Sequence, residues 1–424
     1  MPDTKVCMVV KNQLWNDARV KKEALALSNA GCRVTVVAKP EAGRPPREVW
    51  RGVTVLRPPK DSPARQALRE KVVSASAEDD ESLRARLIRA LRRNRLRRAL
   101  TDVKRSVPWE LRLLAAALSV RADVYHAHDL DALLVGALAA EALGARLVYD
   151  AHELWLESSR YMISTPPAHR LRYRLTERLL LPRADAVIAV TPSRGRAMRR
   201  MYPDAIRRMA IVENSTPRLE TLPAPRDLRG RLGIPEGAFV ALYQGVICPE
   251  RGLEQLLEAS EMLRGSGAYV AIVGHDAWQG TLPRMAAEMG VDDIVRFHPP
   301  VPSEELPALT VAADAGLILF RNTCLNHYYS LPNKLYEYMM AGIPIVASDF
   351  PEMGRIIGEV GCGLLVDPES PAEIARAIGG LAEMDPAERG AMGRRGRTAA
   401  LDRHNWEVQR RRLLDLYGNL TEGP

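Results

Sequence analysis

SLPNKLYEYMMAGIPIVASD, Ser330 to Asp349, holds a helix and the strand that follows it. Pro332 and Lys334 open the helix, and Glu337 lies one turn further on. Gly342 closes the helix, in the left-handed position that ends a helix and lets the chain turn back. The apolar run Ile343 to Ala347 then re-enters a sheet and ends in Ser348 and Asp349. One residue goes against local preference. Unpaired N–H groups and aligned peptide dipoles make a helix start positive and favour acids there. Lys334 therefore predicts something negative at that tip.

The same grammar runs outward in both directions. Apolar, β-branched runs alternate with helical stretches: KVCMVV, RVTVVA, DVYHAHD, ARLVYDAHE, DAVIAVT and MAIVENS, then FVALYQG, YVAIVGHD, DIVRFHP, AGLILF, IPIVASD and CGLLVD. Continuous apolar strands separated by helices mean parallel sheets covered on both faces. Two such sets predict an α/β protein with two Rossmann-like, doubly wound domains, residues 1–222 and 223–402. The proline-rich, polar stretch Ser215 to Gly230 reads as the linker between them.

Composition bounds the rest. The 424 residues are 46% hydrophobic and 26% charged, enough for substantial cores. Five scattered cysteines, with no paired spacing, support neither a disulfide framework nor a zinc cluster. MPDTKVCMVV runs straight into a strand pattern with no charged-then-apolar leader, and no apolar run reaches the length of a membrane span. The expectation is a cytoplasmic protein. Its net charge of +8 asks for an acidic partner. Arginines concentrate between Arg84 and Arg105, within an expected basic insertion over about 61–115, among leucines at roughly helical spacing. That segment reads either as a solvated helical insertion or as a helix lying on an anionic membrane surface. With 5% aromatics and no recognisable nucleic-acid motif, nucleic acid is not an expected partner.

Polar residues gather where the strands finish: His126, His128, Asp129, Asp150, His152, Glu153, Thr191 and Asn214 in the first half. In the second half they are Gln244, Gly245, His275, Asp276, His298, Ser348 and Asp349. Open parallel sheets bind ligands beyond the carboxyl ends of their strands. Helix capping accounts for Asp17, Thr191 and Ser348 taken singly. A second cation, Arg251, lies at the start of the helix after FVALYQG. Two cations at two helix tips suit a diphosphate. The competing account of Lys334 is an (i, i+3) ion pair with Glu337.

PNKLYEYMMAGIPIVASDFPEM resembles the donor-site segment of retaining GT-B glycosyltransferases of family 4. NDARVKKEALALSNAGCRVTVVA, ADVYHAHDLDALLVGALAA, LVYDAHELWLE, ADAVIAVTPS, YQGVICPERGLEQLLEA and VRFHPPVPSEELPAL are similar to family segments in family order. DRHNWEVQRRRLLDLY resembles the terminal helix that crosses back to the first domain, here placed at 403–424. The resemblance implies two domains facing each other across a cleft, and sugar transfer with retention, without metal or cofactor. It also implies that a nucleoside-diphosphate sugar, most commonly a uridine one, is the donor. Glu337 then matches the ribose-binding glutamate, Arg251 the diphosphate-binding cation, and His152 the histidine beside the transferred sugar. Arg251, Lys334 and His152 form the implied catalytic set. Donor contacts fall on Gly245, Arg251, Phe297, His298, Asn333, Lys334, Leu335 and Glu337, and acceptor contacts on Asn16, Asp129 and Glu153. Asp129 and Glu153 have bland alternatives, holding a histidine or capping a helix.

The chain departs from the family in three places, the first being VVKNQLWNDARV, which lacks the glycine pair that many members carry after the first strand. Tyr329 stands where the family's first glutamate falls, and Val246 where it usually has an arginine. The donor base, and an acceptor that is a glycan, a lipid-linked saccharide or a small natural product, stay open. So do two rival activities, a nucleotide-sugar 2-epimerase of the same fold and a non-catalytic binding relative.

Overall fold

The computed structural model describes residues 1–15, 17–59, 109–159 and 165–421. The chain divides into two compact units. Met1–Val190, Gly195–Val212 and Arg412–Pro424 make up the first, and Thr191–Arg194 with Glu213–Arg411 the second. The change of unit thus comes at 212/213, ahead of the expected boundary at 222. The last helix, Trp406–Thr421, rejoins the first unit from Arg412 rather than from 403.

The first unit holds an eight-stranded sheet among its described residues, ordered β3-β4-β2-β1-β5-β6-β7-β8. The strands are β1 (Lys5–Val9), β2 (Arg33–Val37), β3 (Arg47–Trp50), β4 (Val53–Leu56), β5 (Val124–His128), β6 (Arg146–Ala151), β7 (Ala186–Ala189) and β8 (Met209–Ile211). All pairings are parallel except β3 with β4, an antiparallel hairpin that the sequence reading lacked. Its turn is Arg51–Gly52, with φ of +49° and +85°, the paired positive values that close a two-residue hairpin. Glycine supplies one of them readily, but an arginine in the other hides the signal. Helix 109–120 buries Leu113 and Ala117 completely. Residues 109–115, the last of the expected insertion, thus place Leu113 in the core while Leu111 stays 60% exposed. Arg84 to Arg105 lies outside the described residues. Further along the first unit lies the helix Pro167–Leu180.

The second unit holds a six-stranded parallel sheet ordered β11-β10-β9-β12-β13-β14. These are β9 (Phe239–Gln244), β10 (Ala268–Val273), β11 (Val295–His298), β12 (Ala315–Ile318), β13 (Ile345–Ser348) and β14 (Gly363–Val366). Alternation along β9 explains the layering. Val240 and Leu242 enter the core shared with Leu335, Met339 and Ile356. Phe239, Ala241 and Tyr243 enter the opposite core, with Leu253, Leu257 and Ile378. Every residue of β9 is buried, as a strand covered on both faces must be. The order reverses between β9 and β12, which places a crevice beyond their carboxyl ends.

Candidate active site

That crevice is a cavity of about 420 Å³, lined among others by Gln244, Gly245, Val246, His275, Asn333, Lys334 and Glu337. The helix Asn333–Ala341 starts at its wall. Pro332 precedes it in extended conformation, and no side chain caps its first N–H groups. The Lys334 ammonium sits 3.8 Å from the Tyr243 ring centroid and 5.7 Å from that of Phe320. The Arg251 guanidinium lies 4.3 Å from the same Phe320 ring. Two cations thus share one aromatic ring. Burial and the charge of Arg251 lower Lys334 to about 7, against the pull of Glu337. No described residue pairs with the Lys334 ammonium through a hydrogen bond or ion pair, so the (i, i+3) bridge to Glu337 does not form.

Glu337 is held instead by Gln244, whose Nε2 donates to Glu337 Oε2 at 2.5 Å. Thr310 Oγ1 donates to Gln244 Oε1 at 2.8 Å, and the Gln244 backbone N–H donates to the Tyr338 hydroxyl at 3.2 Å. Gln244 is 2% exposed, so this chain fixes the carboxylate from within the core. The pocket floor needs glycine. A Cβ on Gly274 would lie 1.7 Å from the Gly245 carbonyl oxygen, and one on Gly245, at φ +138°, would lie 2.8 Å from Lys334 Cε. Gly252, at φ +68°, precedes the helix Leu253–Met262 and passes so close to the Leu319 carbonyl that a Cβ would fall 2.0 Å from it.

In the first unit, the ends of β5 and β6 build a buried ionic cluster. Arg19 donates to both oxygens of Asp150, at 3.0 and 2.8 Å, and pairs with Glu23 at 3.0 Å. His152 lies between two carboxylates, its Nε2 3.1 Å from Asp150 Oδ2 and its Nδ1 3.3 Å from Asp129 Oδ2. Burial opposes its charge, but Asp129 and Asp150 outweigh that and push His152 up to about 10. Burial raises Asp129 to about 7 and Glu23 to about 8, and lowers His128 to about 3. Asp129 has φ +64° and ψ 164°, a region essentially reserved for glycine, where side-chain residues persist only under constraint from their surroundings. It caps no helix. Its Oδ1 accepts from the His152 amide at 3.1 Å, so of the two bland alternatives the structure gives the histidine-holding one.

Ligand-type atoms of Glu23, His126, His128 and Asp150 lie within 4.8 Å of one another, all buried. Arg19 already supplies the positive charge to both carboxylates of that set. A metal there would have to displace or repel a buried guanidinium. The four residues fit an internal ionic network better than a metal centre.

Two family models match the chain in succession, "Glycosyl transferase 4-like domain" over residues 17–214 and "Glycosyl transferases group 1" over residues 226–399. The D-inositol 3-phosphate glycosyltransferase of Nocardioides sp. is 30% identical over 319 residues, 70% of this chain and 67% of that protein. The chain belongs to the group 1 glycosyltransferases. The like-named protein of Salinispora tropica is 28% identical over 327 residues, 73% of this chain but only 66% of the relative's own length. Among solved structures, sucrose-phosphate synthase from Thermosynechococcus elongatus matches with a TM-score of 0.74 at 19% identity, over 99% of both chains. Anabaena HepE in complex with UDP-glucose matches with a TM-score of 0.70 at 16% identity, over 98% of this chain and 99% of that one. The fold of this glycosyltransferase is GT-B.

The expected residues distribute unevenly. Gly245, Asn333, Lys334 and Glu337 line the cavity, and Arg251 stands over Phe320 beside Lys334. Phe297 and His298 end β11 next to β10, but Pro300 and Val301 supply the lining on that side. Leu335 is a core residue, and its amide donates to the Pro332 carbonyl, so it does not join the lining. Asn16 lies outside the described residues. Glu153 is exposed. Thr191 and Asp17 do cap, accepting from the Arg194 and Val20 amides. Ser348 does not; its hydroxyl ties the Ile318 and Phe320 carbonyls. Gln244 stands out in the sequence only as a strand end, and its hold on Glu337 comes from two elements meeting in space. Its one signal was a polar amide closing an otherwise apolar strand.

Proposed function

We propose that this glycosyltransferase moves a sugar from a nucleoside-diphosphate sugar, a uridine one, to an acceptor hydroxyl, with retention and without metal. The carrying observation is the open Lys334 ammonium sharing the Phe320 ring with Arg251, beside a glutamate already anchored by Gln244. Two cations gathered on one ring repel each other unless an anion joins them, and a diphosphate supplies two negative groups. Glu337 then accepts from the ribose hydroxyls, and Arg251, Lys334 and the helix start stabilise the departing diphosphate. Solved neighbours crystallised with UDP and with UDP-glucose support the choice of base.

His152 is not the base in this reading. A histidine held near 10 between two carboxylates keeps its proton at neutral pH, so it acts as fixed charge. Proton removal from the acceptor falls to the leaving phosphate. Asp129, the strained carboxyl that holds His152, binds the acceptor hydroxyl. Relatives named for D-inositol 3-phosphate support a small polyol or glycan acceptor. A thermal-shift series with UDP, GDP and dTDP and their glucose conjugates tests this. At a hundred times its dissociation constant the true ligand adds about 2.7 kcal/mol of stability. No shift with any nucleotide, or an unchanged shift in Glu337→Ala, overturns it.

A further inference from the structure

The helix Pro167–Leu180 shows solvent an unusual face. Leu171, Leu175 and Leu179 are 59%, 47% and 63% exposed, at a spacing that stacks them along one side over about 12 Å. Arg174 and Arg178 are exposed between them and pair with no described residue. The helix has one acid, Glu177, and it points the other way. That carboxylate is buried and accepts from the hydroxyls of Tyr149 at 3.2 Å and Tyr202 at 2.6 Å. The outer face therefore combines apolar and cationic groups with no carboxylate.

We propose that this face docks on an anionic lipid surface, the leucines entering the boundary between headgroups and acyl chains and the two arginines reaching up to lipid phosphates. Charge and shape select that occupant. A second copy meeting the same face would set arginines against arginines with no acid to separate them. Nucleic acid would take the arginines but leave three leucines in water. An anionic bilayer satisfies both sets at once, because long cationic side chains lay their stems on apolar surface and keep the charge at the interface. The docking is independent of the sugar-transfer reading and distinct from the arginine run at 84–105.

Co-sedimentation of the full chain with vesicles tests it, using phosphatidylcholine alone and phosphatidylcholine mixed with phosphatidylglycerol. The intact protein sediments with the mixed vesicles and stays in solution with phosphatidylcholine. Each arginine near such a surface strengthens binding about fivefold, so Arg174→Gln with Arg178→Gln weakens it about thirtyfold. Leu171→Gln, Leu175→Gln and Leu179→Gln together abolish sedimentation while melting temperature stays within a degree or so of the parent, since all three side chains are on the surface. Intact protein that ignores the mixed vesicles overturns the proposal. So does leucine-substituted protein that binds as well as the parent, which would move the contact elsewhere in the chain. A dimer that these substitutions dissociate, with no vesicle binding, would assign the face to a second copy.

Discussion

Lys334 makes donor affinity depend on pH in a defined window. In the free protein, burial and Arg251 hold its ammonium at about 7, against an ordinary 10.5. A bound diphosphate contacts the ammonium and restores the charged form well past pH 9. Affinity is then whole below pH 7 and falls toward tenfold per pH unit above it, because each binding event must first recover a proton. From pH 7 to pH 9 the loss is about fiftyfold, or about 2.3 kcal/mol. The window lies above the second ionisation of a terminal phosphate, near 6, so the nucleotide's own titration does not produce the fall. Isothermal titration of UDP in buffers of different ionisation heat reads both affinity and protons taken up, which approach one per UDP at the upper end. Arginine stays charged throughout, so Lys334→Arg flattens the curve and removes the uptake. Cys248 is a further neighbour that raises Lys334, so Cys248→Ser keeps the proton uptake and moves the fall toward lower pH. UDP that binds equally well at pH 7 and 9 would refute the assignment. A Lys334→Arg variant with the parent's pH dependence would do the same.

Other consequences follow from the same geometry. Gln244→Leu removes a hydrogen bond to a charged group, worth about 1.5–3 kcal/mol, so UDP binds about ten to a hundred times more weakly and discrimination against 2′,3′-dideoxy-UDP collapses. Retained discrimination in a titration of both nucleotides would show that Gln244 does not aim Glu337. Gly274→Ala drives a Cβ into the Gly245 carbonyl and costs about 3 kcal/mol or more in urea denaturation; a parent-like midpoint would contradict the close approach. His152 holds its proton up to about 10, against 6.5 when unfolded, so its stabilisation is whole below 6.5 and lost as pH rises through 10. Melting temperature therefore falls between pH 7 and 9, and less steeply in His152→Gln, by at most about 1.4 kcal/mol per pH unit. Equal slopes would place the imidazole outside the carboxylate pair.

Period and polarity made most of the fold legible. All twelve expected strands appear, because parallel strands buried on both faces are continuous apolar runs that little else imitates. The hairpin β3–β4 escaped, since REVW alternates at an exposed edge and Arg51 occupies a turn position usually marked by Asn or Gly. At the site, Lys334 and Arg251 were legible as cations that defy the helix dipole. The Gln244–Glu337 bond was not, because it joins residues 93 apart through register and side-chain direction. Asp129 was legible as polar, but its strain and its grip on His152 are properties of backbone angles. The leucine face of Pro167–Leu180 was invisible for a plainer reason: helical spacing alone does not say which side faces the core.

A crystal of the protein grown with UDP tests the central claim most directly. The account predicts diphosphate oxygens at about 2.7–2.9 Å from Lys334 Nζ and the Arg251 guanidinium, with ribose hydroxyls on Glu337 still bonded to Gln244. Nucleotide bound elsewhere, or bound in this cavity with Lys334 still resting on Tyr243 and out of reach of phosphate, would contradict it.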